Sequence, residues 1–575
     1  MRFAFLSSAA LAATLLSGCA VGPDFERPPP PNVKTYEAAP LPSTTVAVTP
    51  PKTDATPLPQ KAEPEKIEPA PATITPAPEQ APPMPSAASE TPVEKTEAAP
   101  QIASATIEGG AAQAFVVGQE IPAGWWVLFH SEPLDSLIKK SLAANPDIAA
   151  AAAALKEAHE NTLAGTGALL PSVDAGAGVE REKISGVGFG STASFPPFTL
   201  YNATVSVSYS LDLWGGTRRQ IEALGAEEDY QRFALEAART SLAANVVTAA
   251  VAEASLRGQI DATNKIIEAE KSELDLAQKQ LELGGIAATP VLAQQAQLSA
   301  TQATLPPLEK QLALVRHQLS VFAGDFPSEE PAAKFELSSL TLPEELPVSL
   351  PSKLVEQRPD IRAAEAVLHA ASAEVGVATA AMLPQITLSA DIGEEAGSIG
   401  KFFSPGTGIW ALAAGASQPI FHGGTLFHQR RAAEAAYDQA AAQYKKTVLA
   451  AFQDVADTLR ALQSDAEALK ASAAAEQAAA DSLALVQHQY ELGAVSYLEL
   501  LNAQQVEQQA RLVLVAAEAR RFADTAALFT ALGGGWWNVP PSAATPVAAS
   551  GDDDGLQAPI PAAAPADPVQ KENEQ

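Results

Sequence analysis

Few side chains in this sequence are suited to covalent or metal chemistry. There are seven histidines, His130, His159, His317, His369, His422, His428 and His488, and one cysteine, Cys19. No two histidines stand in an H-E-x-x-H or H-x-H spacing, and His422 and His428 flank a glycine turn, so packing or solvated histidines account for them better than a metal site does. The run SGVGFGS at 185–191 follows a strand pattern and leads into another strand, without the Gly-Lys-Ser/Thr ending of a phosphate loop. No G-x-S-x-G nucleophile turn is present. These absences point away from an enzyme. A lone cysteine cannot form a disulfide within the chain and would ordinarily be a small buried hydrophobe. Cys19, however, follows Arg2 and the apolar run FAFLSSAALAATLL, which together read as a charged n-region, a short h-region and a cleavage site.

Leu16-Ser17-Gly18-Cys19 resembles a bacterial lipobox. The resemblance implies that residues 1–18 are a signal peptide, that Cys19 becomes the lipid-modified N-terminus, and that 19–27 form the anchor. Ala20 follows, rather than Asp, which by resemblance to lipoprotein sorting implies the outer membrane. The leader is too short to span a bilayer, and no later stretch has the roughly 18 uninterrupted apolar residues that a spanning helix needs. A membrane crossing would therefore have to be made by strands.

The chain has 575 residues, 47% hydrophobic and 18% charged, with 37 Lys+Arg against 67 Asp+Glu, a net charge of −30. With no basic patch to meet phosphates, no nucleic-acid partner is expected. Residues 28–110 carry about 20 of the 46 prolines. Such a segment cannot bury a core, and it is expected to be a disordered, polyproline-like linker dispensable for transport. Residues 538–575, with Pro, Ala and a DDDG cluster, read as a disordered tail.

The body between them is a duplication, with halves at 115–330 and 352–537 joined by a connector at 331–351. Pro146 and Pro359 are 213 positions apart, as are Pro171 and Pro384; Gly215 and Gly423 are 208 apart; Gly284 and Gly493, and Gly324 and Gly533, are 209 apart. Each half opens with a helix, near Leu134–Gly165 or Ser352–Ala381. A β-hairpin follows, at 172–211 or 385–419, and then a long helical hairpin, at 217–323 or 424–532. Val205, Val207 and Tyr209 alternate with Thr204, Ser206 and Ser208, the period of a sheet with one apolar and one wet face.

From Thr217 to Leu283 there is no proline, a helix of about 100 Å at 1.5 Å per residue. Ile260, Ile267, Leu274 and Leu281 recur every seven residues, and Val448, Phe452, Val455, Leu459 and Leu462 are spaced 4-3-4-3, both coiled-coil patterns. Each long helix ends at glycine, Gly284–Gly285 or Gly493, which tolerates the left-handed C-cap. The returning helices start at a capping box, Ser496 with Glu499, and at Thr289 before Pro290. Four strands cannot close a barrel, and open edges cannot face lipid, so the chain must oligomerise; a trimer would supply twelve strands.

At this point the chain resembles the TolC-type outer-membrane efflux proteins, specifically the NodT-like lipoprotein subgroup of resistance–nodulation–division systems. The resemblance is carried by CAVGPDFERP at 19–28, GWWVLFHSEPLDSLIKKSLAANPDI at 124–148, LLPSVDAGAG at 169–178, SLDLWGGTRR at 210–219, RPDIRAAEAVLHAA at 358–371, QPIFHGG at 418–424 and YELGAVSYLELLNAQ at 490–504. It implies a mainly α fold with a small β part: a homotrimer whose long hairpins form a periplasmic α-barrel under a twelve-stranded transmembrane β-barrel. It also implies passive export of drugs or other small molecules, and docking to a periplasmic adaptor and an inner-membrane pump. Beyond the lipid on Cys19 it implies no cofactor. The hairpin tips at Gly284, Gly285, Gly493 and Ser496 become the adaptor-facing end. Leu498 and Asn502, one helical turn apart, match the family's aperture positions. A duct for protein secretion and a non-channel envelope spacer are the alternative readings. Mass spectrometry of the mature N-terminus should find Cys19 as the first residue, carrying acyl chains; an unmodified Cys19 or cleavage elsewhere would remove the lipoprotein reading.

Overall fold

The computed structural model describes residues 20–37, 42–48, 107–185, 190, 196–329, 331 and 333–538. Cys19, residues 49–106, most of the 185–191 glycine run and the tail from 539 lie outside the described residues.

After a short strand β1 (Ala114–Val117) and a 3-10 turn (Trp125–Phe129), helix α1 (Glu132–Ala144) leads into α2 (Pro146–Gly167). Strands β2 (Ser172–Glu182) and β3 (Phe198–Leu211) follow, then the long helix α3 (Gly216–Glu282) and its return α4 (Ala288–Phe322). The second half repeats this order. It has β4 (Glu345–Val348), α5 (Pro351–Gln357), α6 (Pro359–Ala380), β5 (Gln385–Ala396), β6 (Gly408–Ser417), α7 (Thr425–Glu491) and α8 (Tyr497–Ala531). Both outgoing helices have 67 residues and both returns have 35.

The opening helix of each half is not continuous, contrary to the sequence reading. It breaks at Asn145–Pro146 and at Arg358–Pro359, where the residue before each proline is extended, with ψ 128° and 124°, as the proline ring requires. The break is used. Asn145 Oδ1 caps α2 by accepting from Asp147 N, and Asn145 Nδ2 donates to Phe322 O at 3.2 Å, which ties the end of α4 to the start of α2. Arg358 does the same in the second half, donating to Ala531 O at 2.9 Å. Return helix and opening helix thus lie end to end along the outgoing helix, which needs a partner over most of its length.

The heptad reading held unevenly. Val448, Val455, Leu459 and Leu462 are buried. In the first copy Ile267 is buried but Leu281 is exposed. A strict seven-residue row drifts about 20° per heptad around a straight helix, so it leaves the seam. The hydrophobic core is densest at mid-height. There Trp125 stacks on Phe529 at 5.1 Å between ring centroids, Phe129 and Phe522 pack beside them, and β1 pairs in parallel with β4.

Where the chain is described, the anchor at 19–27 and the described parts of the 28–110 segment (28–37, 42–48 and 107–110) dock on the body, which corrects the expectation of disorder for those described parts of 28–110. Val21 N donates to Trp214 O at 2.8 Å, Asp24 pairs with Arg219 at 2.5 Å, Phe25 stacks on His369, Arg27 pairs with Glu365 at 2.6 Å, and Tyr36 Oη donates to Ser349 O at 2.8 Å. Farther on, Thr44 bridges Ala114, and Val48 is buried against Leu469, Ala473 and Ala517. The physical reason lies on α8. Arg521 is 1% exposed, and a buried guanidinium must find acceptors. Leu462 O, Gly109 O, Ala111 O and Thr45 Oγ1 supply them, and burial still pushes the arginine down to about 10. A deletion of 32–105 therefore removes part of this core. Losing the burial of Val48 and the bonds of Thr45 and Tyr36 should cost about 3 kcal/mol, read as a lower thermal unfolding midpoint of the purified protein; an unchanged midpoint would mean the segment is only a tether.

Candidate functional site

The four long strands form one antiparallel sheet in the order β2-β3-β5-β6. Its register sorts the side chains into two faces, because directly paired residues share a face. Val173, Ala175 and Val179 of β2 lie beside Val207, Val205 and Tyr201 of β3. Val205, Val207 and Tyr209 lie in turn beside Ile392, Ala390 and Leu388 of β5, and these beside Trp410, Leu412 and Ala414 of β6. This face is apolar across all four strands, and Trp410 and Leu412 are about three-quarters exposed. The opposite face carries Asp174, Gly176, Thr204, Ser206, Ser208, Asp391, Ser389, Gly393 and Gly415. It is small and polar, and Ser206 Oγ donates to Asp391 Oδ1 at 2.6 Å across the strands. Strands of 10 to 14 residues match the nine to eleven or so needed to cross a tilted hydrocarbon layer.

At the far end stand the two hairpin tips. Gly284 and Gly493 have φ of +76° and +72°, and each follows its long helix as a left-handed C-cap. Gly285 N donates to Gln280 O, and Ala494 N to Gln489 O, which closes the last turns. Ser496 and Glu499 form a reciprocal capping box, with Glu499 Oε2 accepting from Ser496 N at 2.6 Å. Thr289 does not cap its helix. That helix already begins at Ala288 with no side-chain cap bond, and Pro290 sits inside the first turn, where a missing N–H costs nothing. Leu498, 65% exposed, and Asn502 share one bare face of α8, and Asn502 opens onto a shallow groove with Ser472, Val506 and Gln509.

Among the described residues no group of His, Cys, Asp or Glu is placed to hold a metal. His159 and His369 instead pair with Glu228 and Glu222, at 3.0 and 2.9 Å. Two features of the site escaped sequence reasoning: the strap from Ala20 to Tyr36, and a network of amides and carboxyls that joins the hairpins near their tips. A signal for the second existed. Ala293-Gln294-Gln295 and Ala503-Gln504-Gln505 repeat 210 positions apart, within the 208 to 213 spread of the other landmarks of the duplication.

A sheet with one lipid-type and one water-type face, carried on helical hairpins about 100 Å long, defines a membrane duct with a helical extension. The chain belongs to the outer membrane efflux protein family, whose sequence model matches residues 137–325 and 350–534. The pyoverdine export outer membrane protein OpmQ of Pseudomonas putida is 30% identical over 421 residues, 71% of this chain and 87% of its own. The probable outer membrane lipoprotein SilC of Salmonella typhimurium is 28% identical over 422 residues, 72% of this chain and 88% of its own. Among solved structures, the outer-membrane channel OprN superposes with a TM-score of 0.69 at 27% identity, covering 77% of this chain and 99% of that one. The protein is an outer-membrane efflux channel and not an enzyme.

The two faces of the sheet make opposite demands. Val207→Arg places a charge on the apolar face, which should cost about 2–4 kcal/mol at mid-membrane and sharply reduce the folded protein recovered from outer membranes. Ser206→Arg on the polar face should be recovered at near wild-type levels. Equal recovery of the two variants would mean the faces have been assigned wrongly.

Proposed function

We propose that three copies of this chain close a twelve-stranded barrel in the outer membrane, anchored by a lipid on Cys19, and that the tube is the exit duct of a tripartite efflux system. A periplasmic adaptor grips the hairpin tips around Gly284, Gly285, Gly493 and Ser496, and a resistance–nodulation–division pump in the inner membrane loads the duct. Drugs or other small molecules then leave passively, with no cofactor.

The observation that carries this reading is the pair of unpartnered edges. The outer edges of β2 and β6 have no neighbour among the described residues, and exposed edge groups are not tolerated in hydrocarbon. Eight strands fill their own interior with side chains, whereas the small polar face described above is suited to lining water, so three copies are the fewest that leave a lumen. The helices support the same conclusion. Helix α6 is packed between α3 and α7 and buries eleven residues, while among the described residues its counterpart α2 packs mainly on α3 and buries only Ile148 and Ala158. The start of α7 is similarly bare, with Ile420 88% and Phe421 85% exposed just before it. A neighbouring copy that brings its α7 against α2 would cover both surfaces.

Native mass spectrometry of the solubilised protein tests the assembly, with three chains expected and any other number excluding it. Drug susceptibility after gene deletion separates efflux from protein secretion. At the tips, three copies of Leu498 would form an apolar ring beside a ring of uncharged Asn502 amides. In planar bilayers Leu498→Gly should raise single-channel conductance, and Asn502→Asp should add block by divalent cations, because three clustered carboxylates attract them; no change in either variant would move the constriction elsewhere.

A further inference from the structure

The described residues begin at Ala20, next to Cys19, and that beginning is pinned to the foot of the sheet. Ala20 lies against Gly215, in the turn between β3 and α3, and Val21 N donates to Trp214 O at 2.8 Å. Arg219 is 5% exposed; it donates to Val21 O at 3.3 Å and to Gly22 O at 3.5 Å, and it pairs with Asp24. Gly22 has φ of +98°, and a side chain there would run into the backbone of Gly376 on α6. Residue 19 is one peptide away from Ala20, about 3.8 Å between Cα atoms. Gly215 is in turn four residues past Leu211, the end of β3, a reach of at most about 14 Å.

Directly above that point the apolar face of the sheet is hollowed. Two rows of paired residues cross it just inside the foot: Tyr209, Leu388 and Ala414, then Val207, Ala390 and Leu412. Alanine at one position of each row leaves a shallow trough of about 430 Å³ between the larger side chains. At about 3.3 Å per residue the rows stand about 7 and 13 Å above Leu211, inside the half-thickness of a hydrocarbon core, about 15 Å. A second cleft of about 340 Å³, lined by Leu211, Trp214, Val377 and Ala380, adjoins both ends of the path. Leu211 follows Tyr209 on the same face of β3, and Trp214 is the residue that holds Val21.

We propose that the trough is the seat of an acyl tail carried by Cys19 of the same polypeptide, with the strap setting where the lipid enters the membrane and the sheet receiving it. The inference deepens the lipoprotein and barrel readings and rests on both. Hydrophobicity does not choose the occupant, because a phospholipid tail is as apolar as an acyl tail on Cys19. Position chooses it. A lipid whose head is fixed beside Gly215 enters the inner leaflet at the foot of β3 and β5, the two central strands, whereas a phospholipid is free to be anywhere. Tethering therefore raises the local concentration of the protein's own tails at this one place. Packing adds to it, since the small side chains of Ala390 and Ala414 let a tail approach the strand backbones, and close contact is what favours one apolar partner over another inside lipid.

The test uses full-length protein made in cells fed a fatty acid with a diazirine in its tail. Isolated outer membranes are irradiated, and the protein is digested for mass spectrometry. An adduct between the Cys19 lipopeptide and a strand peptide comes from the protein's own lipid; an adduct that carries a phospholipid comes from the bilayer. Own-lipid adducts should concentrate on 207–209, 388–390 and 412–414. Ala414→Trp fills the trough and should remove them, whereas Ala177→Trp, on the same face of β2, should leave them in place. Gly22→Val should undock the strap, leave the barrel in the membrane, and scatter the own-lipid adducts over the apolar face. Phospholipid adducts alone in the trough, or own-lipid adducts spread evenly over the face in wild type, overturn the seat and leave the lipoprotein reading intact. A wild-type pattern in Gly22→Val overturns the strap's part in placing the lipid. An unacylated Cys19 removes the lipoprotein reading and the seat together.

Discussion

Everything in this fold answers to the demand that every backbone N–H and C=O in hydrocarbon must have a partner. A chain whose four strands leave two open edges cannot meet that demand alone, so the sheet is a sector of a larger wall rather than a finished domain. Its two hairpins are copies of one unit, so a single solution to edge pairing, the β3–β5 contact within the chain, can be repeated between chains. The helices inherit the same logic. Each outgoing helix of 67 residues begins a few residues after a strand ends, so the spacing of the wall in the membrane sets the spacing of the helical tube below it. A shorter return helix and the opening helix of the same half then share the length of their long partner, and the joints between them coincide with the mid-height core around Trp125 and Phe529.

Much of this was legible in the sequence because it rests on local rules. Glycine at a left-handed C-cap, Ser496 and Glu499 at the start of α8, and period-two alternation in β3 are each decided by a few adjacent residues. The constant offset between the halves supplied the architecture. What was not legible depends on contacts distant in sequence. A run of prolines says nothing about a single Thr45 or Val48 that docks 400 residues away, and Arg521 looks like any surface arginine until its four acceptors are assembled around it. Thr289 misled because proline is tolerated throughout the first turn, so its position does not date the start of a helix. Glu270 and Glu273 of α3 are spaced like ordinary solvated residues on a coiled coil. Only the return helix α4 and the approach of α8 from the other hairpin give them partners.

The strap that runs from Ala20 has a consequence for how the two copies can change. It lies against the first half's junction, where a Cβ on Gly215 would meet Ala20 Cα at 2.5 Å, and it presses on α6, where a Cβ on Gly376 would meet Val21 O at 2.8 Å. The second half's matching junction glycine, Gly423, has nothing within 4 Å, and the residue 213 positions before Gly376 is Leu163, 51% exposed. Two segments that descend from one unit therefore live under unequal steric limits. Around an assembled ring the junctions alternate between clamped and bare, so a wall built from near-identical staves repeats once per chain and not once per stave. A few residues from Ala20 onward, too short to fold by themselves, thereby make two segments of common descent sterically unequal.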